Sequence, residues 1–291
     1  MTDDPRNAGQ HPFPGEPTQE APGLVAAMRN APDHGEQSYV GKALLTGKVA
    51  LITGGDSGIG RAVAIAYARE GADIAISYLP AEQVDAEETR NWVEQAGRRC
   101  VLLPGDLRSE DYCRDLVAQT AKQLGRLDIL VNNAAAQTMN KTLADIIATD
   151  VEAAFQTNVF AMFYLAREAV PHMQPGAVII NTTSEQAKVA NEKMLIYVAT
   201  KGAIASMTVA LSNLLAPEGI RVNCVAPGPI WTPIQPIAKT TEELEQLGAD
   251  TPLGRAGQPA ELAPAYVLLA SWEGSYITGA LIPVTGGVSM L

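Results

Sequence analysis

The chain has little with which to bind a polyanion. Its 291 residues carry 21 Lys and Arg against 32 Asp and Glu, for a formal net charge of −11. That balance argues against a basic face for nucleic acid. Histidine and cysteine are scarce, three of each. His11, His34 and His172 are too scattered for a metal site, and Cys100, Cys113 and Cys224 form no CxxC pair. Neither zinc nor a disulfide framework is indicated, and the cysteine usage fits a reducing cytoplasm. The polar start lacks the apolar segment of a secretory signal. No run approaches the ~18 apolar residues of a membrane span. Metal, nucleic acid and membrane are all unexpected.

What is present is ordinary for a globular chain: 47% hydrophobic and 18% charged residues, enough for one large core. Residues 1–46 differ from the rest. Pro5, Pro12, Pro14, Pro17, Pro22 and Pro32 fall here, and proline fixes φ and removes donors, so regular structure is not expected. Leu24, Val25, Met28, Tyr39 and Val40 supply apolar anchors. The segment reads as an extended arm, anchored from about residue 20 onward, on a single domain at 47–291. The competing reading is a disordered tail.

From Lys48 the pattern becomes regular. Short apolar runs predict strands at 49–53, 74–77, 100–103, 127–131, 177–183, 220–225 and 281–284. Between them lie helical patterns through Arg69 and at 82–96, 109–124, 150–172, 194–215 and 259–271. Strands alternating with helices imply βαβ units and an α/β doubly wound parallel sheet of Rossmann type.

Thr53-Gly54-x-x-x-Gly58-x-Gly60 sits between the first strand and the first helix. Glycines there let a phosphate approach backbone N–H groups, and the helix N-terminus favours its charge. The spacing is neither GxGxxG nor a P-loop. The ribose position falls near the end of the second strand, at Ser77-Tyr78-Leu79. An acid there would select a 2′-hydroxyl and an Arg a 2′-phosphate. Tyr78 is neither, so the choice between NAD and NADP stays open. Asp106, after the third strand, would accept from an adenine amino group or cap the next helix. Asn132 and Asn133 end the fourth strand and would pin its turn.

Tyr197 and Lys201 are i and i+4 on the predicted 194–215 helix, so they share a face. A neighbouring cation favours the phenolate and lowers a phenol's pKa. A tyrosine exchanging its proton near neutrality suits carbonyl and alcohol chemistry. Ser184 ends the apolar run that precedes this pair.

These stretches together resemble the short-chain dehydrogenase/reductase family in its TGxxxGxG branch. The resemblance rests on TGGDSGIG at 53–60, Asp106-Leu107, NNAA at 132–135, Asn158, Ser184, Tyr197/Lys201 and Pro227-Gly228, in the family's order, over about 48–287. Ala135 stands where the family usually has Gly. The Tyr-to-Lys spacing argues against the enoyl-reductase branch. The arm looks like that of the bacterial subgroup that includes general stress protein 39 and related aldehyde reductases.

The resemblance implies Tyr197 as general acid in reduction and base in oxidation. Lys201 would lower its pKa and bind the nicotinamide ribose, Ser184 would hold the substrate oxygen, and Asn158 would hold a water. The cofactor set it implies is Gly54, Ser57, Gly58, Ile59, Gly60, Tyr78, Asp106, Leu107, Asn133, Ala134, Ala135, Tyr197, Lys201, Pro227, Gly228 and Ile230, holding NAD or NADP. It also implies a homotetramer contacting through the C-terminal strand. Residues 229–257 read as a substrate lid, and Ile230, Trp231, Ile234 and Ile237 there suggest a small neutral carbonyl. The reading is thus an NAD(P)-dependent oxidoreductase transferring a hydride between nicotinamide and a small carbonyl or alcohol, an aldehyde, ketone or sugar alcohol. A dinucleotide-binding regulator without turnover is the alternative, and a methyltransferase on a related sheet a third.

Overall fold

The computed structural model describes residues 4–140 and 142–290. Residues 1–3 of the arm and Leu291 of the domain lie outside them. The elements run β1 (Val49–Thr53), α1 (Gly58–Arg69), β2 (Asp73–Tyr78), α2 (Gln83–Gln95), β3 (Cys100–Pro104), α3 (Glu110–Leu124), β4 (Ile129–Asn132), α4 (Ala148–Phe155) and α5 (Ala161–Ala169). They continue with β5 (Val178–Thr182), α6 (Gln186–Val189), α7 (Leu195–Leu215), β6 (Arg221–Pro227), α8 (Ile234–Ala238), α9 (Thr241–Glu245), α10 (Ala263–Ala270) and β7 (Leu281–Val284).

All strand pairings are parallel, in the order β3-β2-β1-β4-β5-β6-β7. The period-two rule explains why the central strands are apolar at successive positions, with polar Thr53, Asn132, Asn181 and Thr182 toward their carboxyl ends. Ala50, Ile52, Ile74, Ile76 and Ile180 pack into one core with residues of α1 and α10. Val49, Leu51, Ala75 and Ile179 face the opposite core, with residues of α3 and α5. Both faces are covered, so both parities are mainly apolar, and the buried Asn132 and Asn181 are tolerated because they pair with each other.

The single helix expected at 150–172 is broken. Gln156–Phe160 forms a π turn between α4 and α5, and Val170–His172 a 3₁₀ turn. Such a bulge admits one extra residue per turn, and here it carries the buried Asn158. α8 and α9 lie within the expected lid, for which no helix is assigned from the sequence.

The helical stretch 192–218 is long and apolar enough to cross a membrane by length and composition, with mean hydropathy 1.6. This qualifies the expectation that no segment approaches a span. Its inner face nevertheless carries buried Thr200, Lys201, Thr208 and Ser212, and it packs on β6.

The arm is held from its first turns. Phe13 is buried and stacks on Trp231, with ring centroids 3.7 Å apart and 5° between planes. The Trp231 indole donates to Asn30 O at 2.7 Å. Buried Glu16 accepts from the backbone N–H groups of Arg29 and Asn30, and Asp85 from those of Val25 and Ala26. Packed contact thus begins well before residue 20.

Candidate active site

The glycine turn is built by close approach. A Cβ on Gly60 would fall 1.9 Å from Gly54 O and 2.8 Å from Asn133 Nδ2. Gly54 also takes φ +62°, a conformation that disfavours side chains. Thr53 Oγ1 accepts from the N–H groups of Asn133 and Ala134, and Asn133 Nδ2 donates to Thr53 O and Gly54 O. The turn after β4 is thereby tied to the turn after β1. Asn132 instead donates to Asn181 inside the sheet.

These turns open on a cleft of about 540 Å³ at the carboxyl ends of the strands. Gly54, Ser57, Gly58, Ile59, Tyr78, Asp106, Leu107, Asn133, Ala134, Ala135, Ser184, Tyr197, Lys201, Pro227, Gly228 and Ile230 all line it. Gly60 and Asn158 do not. Gly60 contributes only the space that lets Gly54 O close the turn. Asn158 sits behind the wall, fully buried, with Oδ1 accepting from Ala136 N and Nδ2 donating to Ala136 O and Thr200 Oγ1. Both amide protons are spent, so its side chain has none left to hold a water. It fixes the 134–136 segment against α7.

The sequence missed two acids in this cleft. Asp56, within the glycine turn, is buried and its Oδ2 meets no partner. Glu82 enters from the 3₁₀ turn after β2 and uses Oε2 on Leu79 N at 2.7 Å. Burial first, with Asp56 and Asp85 nearby, pushes the Glu82 carboxyl up to about 8. Burial also raises Asp56 to about 6. Looking for an acid only at 77–79 overlooked Glu82, which the turn brings back to the strand end. Tyr78 is occupied, donating to Gln83 Oε1 at 2.7 Å. Asp106 does not cap α3, since Ser109 does. It pairs with Arg108 instead. Ala21, Pro22 and Gly23 of the arm also line the cleft.

Ser184, Tyr197 and Gly228 lie where this cleft meets a second one of about 530 Å³. Lys201 Nζ is buried and donates to Thr182 O at 2.9 Å. Burial pulls the Lys201 amine down to about 7. It pushes the Tyr197 phenol up to about 12, with Ser184 opposing and Glu185 adding to the rise. The lowering of the phenol expected from its neighbouring amine is therefore outweighed: desolvation favours the neutral form of both groups.

The cleft fits a dinucleotide in its chemistry. The close-packed glycine turn exposes backbone N–H groups at the start of α1, and the unpartnered Asp56 oxygen awaits a donor such as a ribose hydroxyl.

A family model described as enoyl-(acyl carrier protein) reductase matches residues 54–289. The chain is 49% identical over 275 residues to general stress protein 39 of Bacillus subtilis, across 94% of this chain and 96% of that protein. It is 44% identical over 280 residues to the glucose and ribitol dehydrogenase of Daucus carota, across 94% and 96%. A short chain dehydrogenase from Burkholderia cenocepacia, solved in complex with NADP, superposes with TM-score 0.78 at 32% identity, across 84% of this chain and 98% of that one.

Proposed function

Given that the chain belongs to the short-chain dehydrogenase/reductase family, and is an NAD(P)-dependent oxidoreductase acting on CH–OH donors, we propose that Tyr197 is its proton donor and acceptor for a small carbonyl or alcohol. The observation that carries this is the meeting of Ser184 and Tyr197 with both clefts, one for cofactor and one for substrate. Bound nicotinamide supplies or takes the hydride.

The residues do the rest. Ser184 holds the substrate oxygen against Tyr197. Tyr197 donates its hydroxyl proton to that oxygen in reduction and withdraws it in oxidation. Lys201, anchored on Thr182 O, sits beside the ring and replenishes positive charge there when protonated. Gly54, Ser57, Gly58 and Ile59 would seat the pyrophosphate, Asn133, Ala134 and Ala135 the nicotinamide ribose, and Pro227, Gly228 and Ile230 the nicotinamide edge. Asp106, Leu107 and Tyr78 border the adenosine. A hydroxyl pair facing one oxygen suits a carbonyl rather than a carbon–carbon double bond, so we do not extend the family model's enoyl description to this chain. The name of the Daucus carota relative, glucose and ribitol dehydrogenase, points the same way.

Free thiols at Cys100, Cys113 and Cys224 support a cytoplasmic setting. Leu195, Val209 and Leu214 leave α7 with an apolar outer face, and Trp272 and Tyr276 stand exposed before β7. These surfaces support a homotetramer.

Tyr197→Phe tests the assignment. It should lower kcat by about 10²–10⁴-fold while the cofactor Kd, read by fluorescence titration, stays within a few-fold. Near-normal kcat in that variant would remove Tyr197 from the chemistry.

A further inference from the structure

The second cleft mixes polar and apolar groups in similar measure, where the sequence suggested an apolar lid. Gln186, Asn191, Gln246, Asp250 and Thr251 form much of its wall. Several of the lid's apolar side chains point elsewhere, Trp231 against Phe13 and Ile234 and Ile237 into the cofactor cleft with Gly23 of the arm, while Pro229 and Leu247 face this cleft.

Glu185 stands in this wall beside Ser184 and Tyr197. It is 9% exposed, and its Oε2 is buried with no hydrogen-bond partner. Oε1 receives only a long contact, 3.5 Å, from Gln186 Nε2. A buried carboxyl left without donors is costly, so an unmet oxygen at the edge of a cleft calls for a donor from the ligand. The backbone fixes its place. Glu185 N donates to Pro227 O at 2.9 Å, and a Cβ on Gly228 would lie 3.1 Å from Oε2.

Building on the oxidoreductase reading above, we propose that Glu185 is a specificity residue that hydrogen-bonds a hydroxyl near the reacting carbon, so that the substrates are hydroxylated carbonyls and polyols rather than simple aldehydes and ketones. Ser184 and Glu185 are adjacent in the chain, so one substrate spans both: its reacting oxygen on Ser184 and a nearby hydroxyl on Glu185. A simple aldehyde fills the first position and leaves the second unmet. Burial, opposed by Gln186 and reinforced by Asp250, brings the carboxyl up to about 7. A hydroxyl both donates and accepts, so it pairs with either protonation state.

The test compares D-glyceraldehyde with propanal, which lacks the two hydroxyls, as substrates of the wild type, Glu185→Gln and Glu185→Leu. The wild type should favour glyceraldehyde in kcat/KM by about tenfold or more, because a site built for a hydroxyl discriminates strongly against its absence. In Glu185→Leu the ratio should fall toward one through a raised KM for glyceraldehyde. Glu185→Gln should keep most of the preference, since an amide also pairs with a hydroxyl. Cofactor Kd confirms that each variant is folded. A ratio near one in the wild type, or an undiminished ratio in Glu185→Leu, overturns the hydroxyl assignment and leaves the oxidoreductase reading standing. A wild type that binds dinucleotide yet turns over neither aldehyde, nor glycerol or 1-propanol in reverse, overturns both.

Discussion

The ammonium nitrogen of Lys201 lies 5.2 Å from the centroid of the Tyr197 ring. The two groups are close enough to act together, yet burial drives their proton affinities in opposite directions, the amine to about 7 and the phenol to about 12. An amine so placed reduces stability when it is charged, and the protein accepts that to keep it beside the phenol.

Lys201 should therefore make the unliganded protein more stable as pH rises. Above its folded pKa of about 7, the native amine is neutral while the unfolded one, near its ordinary value of about 10.4, still binds a proton. The unfolded state holds more protons across that window, so stability climbs by up to about 1.4 kcal/mol per pH unit. Below about pH 7 both states are charged and the penalty is fully present. Urea unfolding of wild type and Lys201→Met between pH 6 and 10 should show the wild type gaining on the variant as pH rises. A constant difference across that range would mean the amine is not desolvated.

Asp56 and Glu82 should set the cofactor preference. Among the described residues lining the cofactor cleft, Arg108 and Lys201 are the cations, and Arg108 is committed to Asp106. A 2′-phosphate near the end of β2 would meet two carboxyls, whereas a 2′-hydroxyl would find acceptors. Calorimetry should give a tighter Kd for NAD⁺ than for NADP⁺, by about tenfold, or roughly 1.4 kcal/mol. The gap should narrow in Glu82→Gln. It should also narrow as pH falls from 8.5 to 5.5, through the raised values of about 8 for Glu82 and about 6 for Asp56, because the charged forms disappear. Tighter NADP⁺ binding at pH 8.5 would contradict this.

Phe13→Ala should loosen the lid. Removing a buried aromatic ring costs about 3 kcal/mol or more, and here the loss falls on the stacked contact between arm and lid. Red-shifted emission from Trp231, faster proteolysis of the arm and a raised substrate KM are the expected readings. Trp272 is already exposed, so it adds no shift. Unchanged emission together with unchanged proteolysis would show that the arm holds on without this ring.

Assembly should depend on the exposed aromatic residues before β7. Tyr276 is fully exposed and Trp272 87% exposed. Sedimentation should find the wild type at four times its 30.7 kDa chain mass, and Trp272→Glu with Tyr276→Glu should reduce that to a smaller species. A monomer at micromolar concentration in the wild type would count against the tetramer.

The sequence by itself determined whatever obeys a local period. Parallel strands buried on both faces read as unbroken apolar runs, a glycine turn between strand and helix has its own spacing, and Tyr197 and Lys201 share a face because they are i and i+4. Tertiary structure decided the rest. Phe13 meets Trp231 and Asn30 meets the lid only because the arm crosses a domain folded from the other end of the chain. Glu82 reaches the cleft at the end of β2 because a 3₁₀ turn folds back after that strand, and Glu185 becomes a cleft wall only once β6 and Gly228 pack against it. Burial itself, which keeps Tyr197 protonated and lowers Lys201 to about 7, is the sum of contacts from many distant segments. No window of neighbouring residues encodes it.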